Sequence, residues 1–406
     1  MSIKLKLAAL GLLFCSMNAF AQKTDKFMNE IVNYDEAAVP SYVLPALLKT
    51  LKGRLVNNSS AWEKQRRPEI IGLFEENVYG RTPKKFDSVR YRVTNDVPRA
   101  MEGRAHLKEV AITLWNKGKS VTVPVVLFTP NNRKKPVPVF LLINNRPKRN
   151  TDPTRAVKST FWPAEMVIDS GYAIAAFNIN DAAPDKKDTY QHGVLDQLFP
   201  EMLQKPDGMK AIGTWAWTAS RVLDYFETNP DINAKKVAVV GHSRGGKTAL
   251  WAGAQDTRFA MVVSSCSGSS GASLARRKYG ETVSLINKQF GYWFNDNYKN
   301  YSNDVNALPV DQHMLIGLIA PRPVYTTNAV EDRWADPVGS YLSVVNALPA
   351  YRLYNPQLTL PVTFPATNKP IMQSVIGYHF REGKHDLNLY DWAEVLRFAG
   401  MQAGWK

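Results

Sequence analysis

The sequence predicts an α/β fold, a mostly parallel central sheet with helices on both faces. Three observations predict it. Several short runs are wholly apolar, residues 137–143 among them, and read as strands buried on both faces. Through the later part of the chain such runs alternate with segments of helical spacing, the order that builds a parallel sheet covered on two sides. No internal repeat, low-complexity tract or linker divides the chain, so residues 22–406 are expected to form a single domain.

The elements follow in order. Residues 1–21 read as a secretory signal peptide: Lys4 and Lys6, an apolar run over 7–20, then Ala19-Phe20-Ala21 ahead of Gln22. That run is short for a bilayer span and nothing later resembles one, so a secreted protein, periplasmic or extracellular, with no membrane span is expected. Cys15 lacks a lipoprotein context and leaves with the leader, so Cys266 stands alone and no intramolecular disulfide is expected. Residues 22–85 are expected to be a mostly helical N-terminal extension, punctuated by Pro40, Pro45 and Pro68. Strands are expected at 109–115 and 121–128 around a turn at 116–119, then at 137–143 and 172–177. A helix over 213–228 precedes a strand at 236–240, a helix at 246–254 and a strand at 259–264. Strands at 323–327 and 375–379 and a helix over 389–401 complete the pattern.

Composition narrows the partners. There are 51 Lys and Arg against 36 Asp and Glu, a formal net charge of +15, two of the lysines being in the leader. Such an excess concentrates polyanions, or simply keeps the surface soluble. No nucleic-acid-binding motif is present, and an acidic plant cell-wall polysaccharide or oligosaccharide suits an exported protein better. No cluster has metal-ligand spacing, so neither a metal nor an organic cofactor is expected.

The apolar residues 237–240 lead into Gly241-His242-Ser243-Arg244-Gly245, a G-x-S-x-G pattern, and a helix-forming stretch follows at once. Strand, pattern and helix together make the nucleophile elbow of an α/β-hydrolase. The turn lifts the serine hydroxyl out of the sheet and sets it at the positive end of the next helix. There the backbone N–H of Arg244 can donate to a developing oxyanion.

A serine hydroxyl needs a base, and histidine has the suitable pKa. His106 and His192 precede the nucleophile, against the Ser…Asp…His order of this fold. His242 is held in the elbow, His313 reads as a structural hydrogen bonder and His379 as a core residue of the last strand. His385 lies in the loop between the last strand and the last helix, and is the expected base. The acid should follow the preceding strand, where Glu331, Asp332 and Asp336 compete. Asp336 precedes Pro337 and reads as a turn former. Asp332 is favoured over Glu331 because its shorter side chain holds the imidazole more rigidly.

With Arg244 directly after the serine and Lys247 four places on, the elbow resembles that of the glucuronoyl esterases, carbohydrate esterase family fifteen. The likeness runs over about 210–400, through residues 251–260, 267–272, 276–282, 319–323, 331–337 and 383–386. It implies that Arg244 stabilises the oxyanion, that Lys247 binds a sugar hydroxyl and that Trp334 packs against the sugar. Lys247 as a solvent-facing residue and Trp334 as a core aromatic are the plainer alternatives. Glu281 is a substrate contact or an ion-pair partner of Arg276 or Arg277. Many members carry the acid just after the strand that follows the nucleophile helix. Cys266 stands there, so the resemblance is to bacterial members with the acid in the later loop, which favours Asp332. The basic loop 144–150 is a second departure.

The expected function is therefore that of a serine carboxylic ester hydrolase acting on uronic acid esters of plant polysaccharides, of the 4-O-methyl-glucuronoyl methylesterase type. A pectin methylesterase acting on methyl-esterified galacturonic acid is the near alternative. A serine peptidase or an acetyl esterase is more distant, and a non-catalytic carbohydrate-binding module would be expected to lack the ordered Ser, Asp and His.

Overall fold

In a computed structural model the protein is described over residues 24–27 and 30–405. The expected signal peptide, residues 1–21, lies outside the described residues. A small antiparallel ribbon, β1 (Thr24–Phe27) and β2 (Glu30–Asn33), precedes the main sheet. The main strands are β3 (Ser88–Ala100), β4 (Ala105–Asn116), β5 (Lys119–Pro130), β6 (Val137–Asn144) and β7 (Ala173–Asn178). They continue as β8 (Ile232–His242), β9 (Phe259–Ser265), β10 (Val324–Ala329), β11 (Ile371–Gln373) and β12 (Ile376–Arg381). Across the sheet the order is β11-β12-β10-β9-β8-β6-β7-β5-β4-β3. From β7 to β12 every neighbouring pair is parallel, and the edges at β3–β5 and β11 run antiparallel. This is the α/β-hydrolase sheet that the alternation of apolar runs and helices predicts.

Strand residues alternate between two cores, as a side-chain period of two requires. Along β6, Val139, Leu141 and Ile143 enter one core, where Trp215, Leu223, Leu250 and Trp251 pack from the helices Ala211–Thr228 and Arg244–Gln255. Phe140 and Leu142 enter the other, facing Val167 and Ile168 of Ala164–Asp169 and Trp392, Val395 and Phe398 of Leu389–Gly400. Every residue of β6, β7 and β10 is buried, which is why their sequences show no polar alternation. Among the described residues no helix is long and apolar enough to cross a membrane.

Two departures from expectation bear on the surroundings of the site. Where residues 22–85 were expected to be mostly helical, the described residues between 24 and 58 are not helical apart from one turn at Glu36–Ala38; continuous helix begins only at Ser59 and ends at Tyr79. The segment satisfies its backbone against the body of the protein instead. The Gly280 N–H donates to the Asn33 carbonyl at 2.9 Å, and Arg66 donates from Nε to Leu47 O at 3.0 Å and from Nη2 to Ala46 O at 2.9 Å. His313 Nε2 lies 3.0 Å from Pro45 O, the structural hydrogen bond expected of it. The second is a sixteen-residue helix, Pro337–Arg352, that sequence reasoning missed. It contains Pro349 and is buried around most of its circumference, so it has no amphipathic stripe.

The segment and the long helix meet at Arg277, whose guanidinium binds Asp336 at 2.9 Å and Glu36 at 2.7 Å. Arg277 and Asp336 are both buried, so removing one partner strands a charge. Arg277→Ala is expected to cost about 3–5 kcal/mol of unfolding free energy, measured by denaturant titration. A loss below 1 kcal/mol would show that the pair does not anchor the fold.

Candidate active site

The nucleophile candidate sits where β8 turns into the helix Arg244–Gln255. Ser243 has φ 56° and ψ −126°, a left-handed conformation that costs a non-glycine residue about 1–3 kcal/mol. The turn is tight enough that a Cβ on Gly241 would lie 1.9 Å from Gly245 O. Arg244 is the first helical residue, so its backbone N–H has no acceptor within the helix.

His385 and Asp332 meet across two loops that follow neighbouring strands, β12 and β10. His385 Nδ1 lies 2.6 Å from Asp332 Oδ2. The carboxylate is buried and the imidazole half-exposed, with side-chain exposures of 3% and 38%. That hydrogen bond occupies Nδ1 and leaves Nε2 as the nitrogen able to take a proton. Glu331 is exposed, and its backbone N–H instead donates to Gly383 O at 3.0 Å. Asp336 caps the next helix, accepting from the Gly339 N–H at 2.9 Å, as its reading as a turn former predicts. Burial raises its pKa to about 6 although Arg277 opposes the shift.

The other histidines take the places expected of them. His379 is buried between Asp391, 2.7 Å from Nε2, and the Tyr325 hydroxyl, 2.9 Å from Nδ1. His242 lies beneath His385, ring centroids 4.4 Å apart. Burial, and then the neighbouring His385, hold its pKa well below the usual range, so the ring beneath His385 is neutral.

All seven residues singled out from the sequence line one cavity of about 260 Å³: Ser243, Arg244, Lys247, Glu281, Asp332, Trp334 and His385. A larger cavity of about 710 Å³ opens at the other end of the strands, beside Lys235 and Pro323, with no serine or histidine in its lining. Lys247 is not solvent-facing, and all three of its ammonium protons have acceptors. Its ammonium donates to Ser267 O at 2.7 Å, Ser269 O at 2.6 Å and Glu281 Oε2 at 2.7 Å. Burial lowers its pKa, with Glu281 opposing. Glu281 thus pairs with Lys247 and not with the neighbouring arginines; Arg276 binds Asp311 at 3.1 Å and Arg277 binds Asp336. Trp334 is half-buried in the cavity wall, not a core residue.

Sequence reasoning missed the wall opposite. Phe290 and Trp293 line the cavity, stacked with centroids 4.0 Å apart. Asp185 accepts from Trp293 Nε1 at 2.7 Å and the Tyr292 hydroxyl at 2.8 Å, and pairs with the Arg244 guanidinium. The Arg244 Cζ stands 5.8 Å from the Trp293 ring centroid, so the side chain is pinned at the cavity rim. No local pattern marks Asp185, whose partners lie 59 to 108 positions away only once the chain has folded. In the loop 144–150, Asn144 and Asn145 are buried; Arg146 binds Asp386 at 3.2 Å and Lys148 binds Asp181 at 2.6 Å.

Cys266 adopts φ 46° at the place expected for an acid in many members, with its thiol, the Asp332 carboxylate and the His385 ring within 4.8 Å of one another. Such a trio has the donor types of a metal site, but the short Asp332–His385 hydrogen bond already employs two of the three groups. Burial, and then Asp332, push the thiol pKa well above its usual value. The native protein is therefore expected to leave Cys266 unalkylated by iodoacetamide at pH 8 and to expose it in denaturant, read by mass spectrometry of its peptide. Asp332→Asn should lower kcat for an ester by roughly 10⁴-fold, by favouring the wrong tautomer, while Glu331→Gln stays near wild type. The reverse ranking would move the acid to Glu331.

Comparison with known proteins accords with this site. A family model described as glucuronyl esterase, fungi, matches residues 112–355. A carbohydrate esterase from an unknown prokaryotic organism is 38% identical over 403 residues, covering 90% of this chain and 91% of its own. A 4-O-methyl-glucuronoyl methylesterase from Wolfiporia cocos is 33% identical over 207 residues, 47% of this chain and 50% of that enzyme. The solved glucuronoyl esterase from Solibacter usitatus superposes with a TM-score of 0.84 at 33% identity, over 91% of this chain and 100% of that one. With the family model matching more than half of the chain, and the prokaryotic relative matching nearly all of it, this protein belongs to the glucuronoyl esterases, carbohydrate esterase family fifteen, and is a serine-type carboxylic ester hydrolase of α/β-hydrolase fold.

Proposed function

We propose that the protein is an exported esterase that hydrolyses esters of glucuronic acid carboxyl groups in plant cell-wall polysaccharide. The observation that carries this reading is one small cavity holding a serine on a strained turn, a carboxylate-bound imidazole, and a polar wall of Lys247, Glu281 and Trp334. The relatives named 4-O-methyl-glucuronoyl methylesterase favour glucuronic over galacturonic esters. The leader-like residues 1–21 support export.

In the proposed mechanism Ser243 Oγ attacks the ester carbonyl as His385 Nε2 takes its proton. Asp332 stabilises the resulting imidazolium through Nδ1. The Arg244 backbone N–H, with its guanidinium held at the rim by Asp185, receives the oxyanion. His385 returns the proton to the leaving alcohol, then activates the water that hydrolyses the acyl-enzyme. Trp334 offers a flat face to the sugar, and the Lys247–Glu281 pair leaves the second carboxylate oxygen of Glu281 to accept from a sugar hydroxyl.

The test is proton release from methyl glucuronate-bearing xylan and from methyl-esterified pectin at equal ester content. Wild type is expected to act on the xylan, with Ser243→Ala reducing kcat by about 10⁶-fold. Preference for pectin would replace glucuronic by galacturonic esters, and an active alanine variant would remove Ser243 as nucleophile.

A further inference from the structure

A second cavity adjoins the active site. It has a volume of about 350 Å³, within the ordinary range for small-ligand sites. The partition is the segment 290–293: Phe290 and Trp293 line the catalytic cavity, Gly291 and Tyr292 the second. Asp185 locks the partition by accepting from both Tyr292 and Trp293.

Its lining is strongly cationic. Lys187, Lys210 and Lys299 face one carboxylate of the same lining, Asp296, while Lys288 is engaged elsewhere. Asp296 binds Lys299 at 2.6 Å and Lys210 at 3.1 Å. Burial works against its charge, yet these two lysines hold its pKa below the usual carboxylate range. One carboxylate shared by two ammonium groups leaves positive charge over. Lys187 is exposed and forms no ion pair among the described residues.

Two further features point to a sugar rather than to a bare anion. Asn287 donates from its amide nitrogen to Tyr298 O and Ser302 Oγ, both at 3.0 Å, while its amide oxygen is buried without a partner among the described residues. That oxygen is an unused acceptor in the wall of the cavity. Tyr190 and Tyr292, both half-buried, stand with ring centroids 5.6 Å apart and form an aromatic wall. The ester being cleaved cannot explain the charge, because an esterified uronic acid is neutral. The cations must address another part of the substrate.

We propose that this cavity is a subsite for a second, unesterified uronate of the same polysaccharide. Lys187, Lys210 and Lys299 receive its carboxylate while the esterified unit lies over Ser243. The inference rests on the glucuronoyl esterase reading and names a substrate preference within it: an ester with a free acid near it on the chain. Attraction of this kind acts on capture, so it appears in KM and weakens with salt.

The experiment compares xylo-oligosaccharides carrying one methyl-esterified glucuronate, with and without a second, free glucuronate, together with methyl glucuronate alone. For the full protein, the acid-bearing oligosaccharide is expected to have about fivefold higher kcat/KM, mostly through KM, and 0.5 M NaCl should erase the difference. In Lys187→Ala/Lys299→Ala the ratio should fall to near one, and in Lys187→Arg/Lys299→Arg it should persist, which separates a subsite from a folding defect. A ratio near one in wild type that still hydrolyses methyl glucuronate overturns the subsite and leaves the function standing. A ratio unchanged in the double alanine variant overturns the location. Failure on all three substrates sinks the functional reading, and this inference with it.

Discussion

The reactive centre depends first on the close approach of β8 to the helix that follows it. The polypeptide reverses within a few residues, and the left-handed backbone of Ser243 persists only because its surroundings leave no room to relax. The helix is pressed onto the sheet where a Cβ on Gly253 would lie 2.2 Å from a Val262 methyl. Trp251 on the same helix stacks on Tyr79 with centroids 4.7 Å apart, and Tyr79 donates from its hydroxyl to Ser270 O at 2.7 Å. Lys247, buried one turn into the helix, binds the carbonyls of the loop behind it. The strained turn is thus backed on three sides: sheet, N-terminal helix and loop.

The sheet supplies the second alignment. Because β10 and β12 are parallel neighbours, their C-terminal loops leave side by side. The Val330 N–H donates to Arg381 O at 2.9 Å, and the Glu331 N–H to Gly383 O at 3.0 Å. These backbone bonds extend the strand pairing almost to Asp332 and His385. The Asp332–His385 distance is therefore set by strand register rather than by two independent loops, and burial keeps water from the Asp332 carboxylate.

Residues that act through local backbone geometry were legible in the sequence. Ser243 stood out because strand, turn and helix signals occur consecutively, and His385 because the order of elements leaves it in the one loop a base can use. Asp332 needed a physical preference between adjacent carboxylates and the resemblance at Cys266. Asp185, Phe290 and Trp293 were not legible, because their roles arise from contacts between distant segments. The extension 22–58 misled for the same reason: its polar backbone groups find partners on the folded body, which no local propensity encodes. The strand β3 is exposed at nearly every position, so it lacks the apolar face that marks β4 and β5.

The loop that carries Asp332 is also held by a segment from the early part of the chain. Arg333, next to Asp332, donates to the Tyr34 carbonyl, and its Cζ lies 4.7 Å from the Tyr34 ring centroid. The strand that ends at Ser243, by contrast, pairs with β6 and β9, which precede Asp332 and His385 in the sequence. The turn at Ser243 is thus framed by strands from the middle of the chain, whereas the pairing of Asp332 with His385 joins two late loops, one of them held by an early segment.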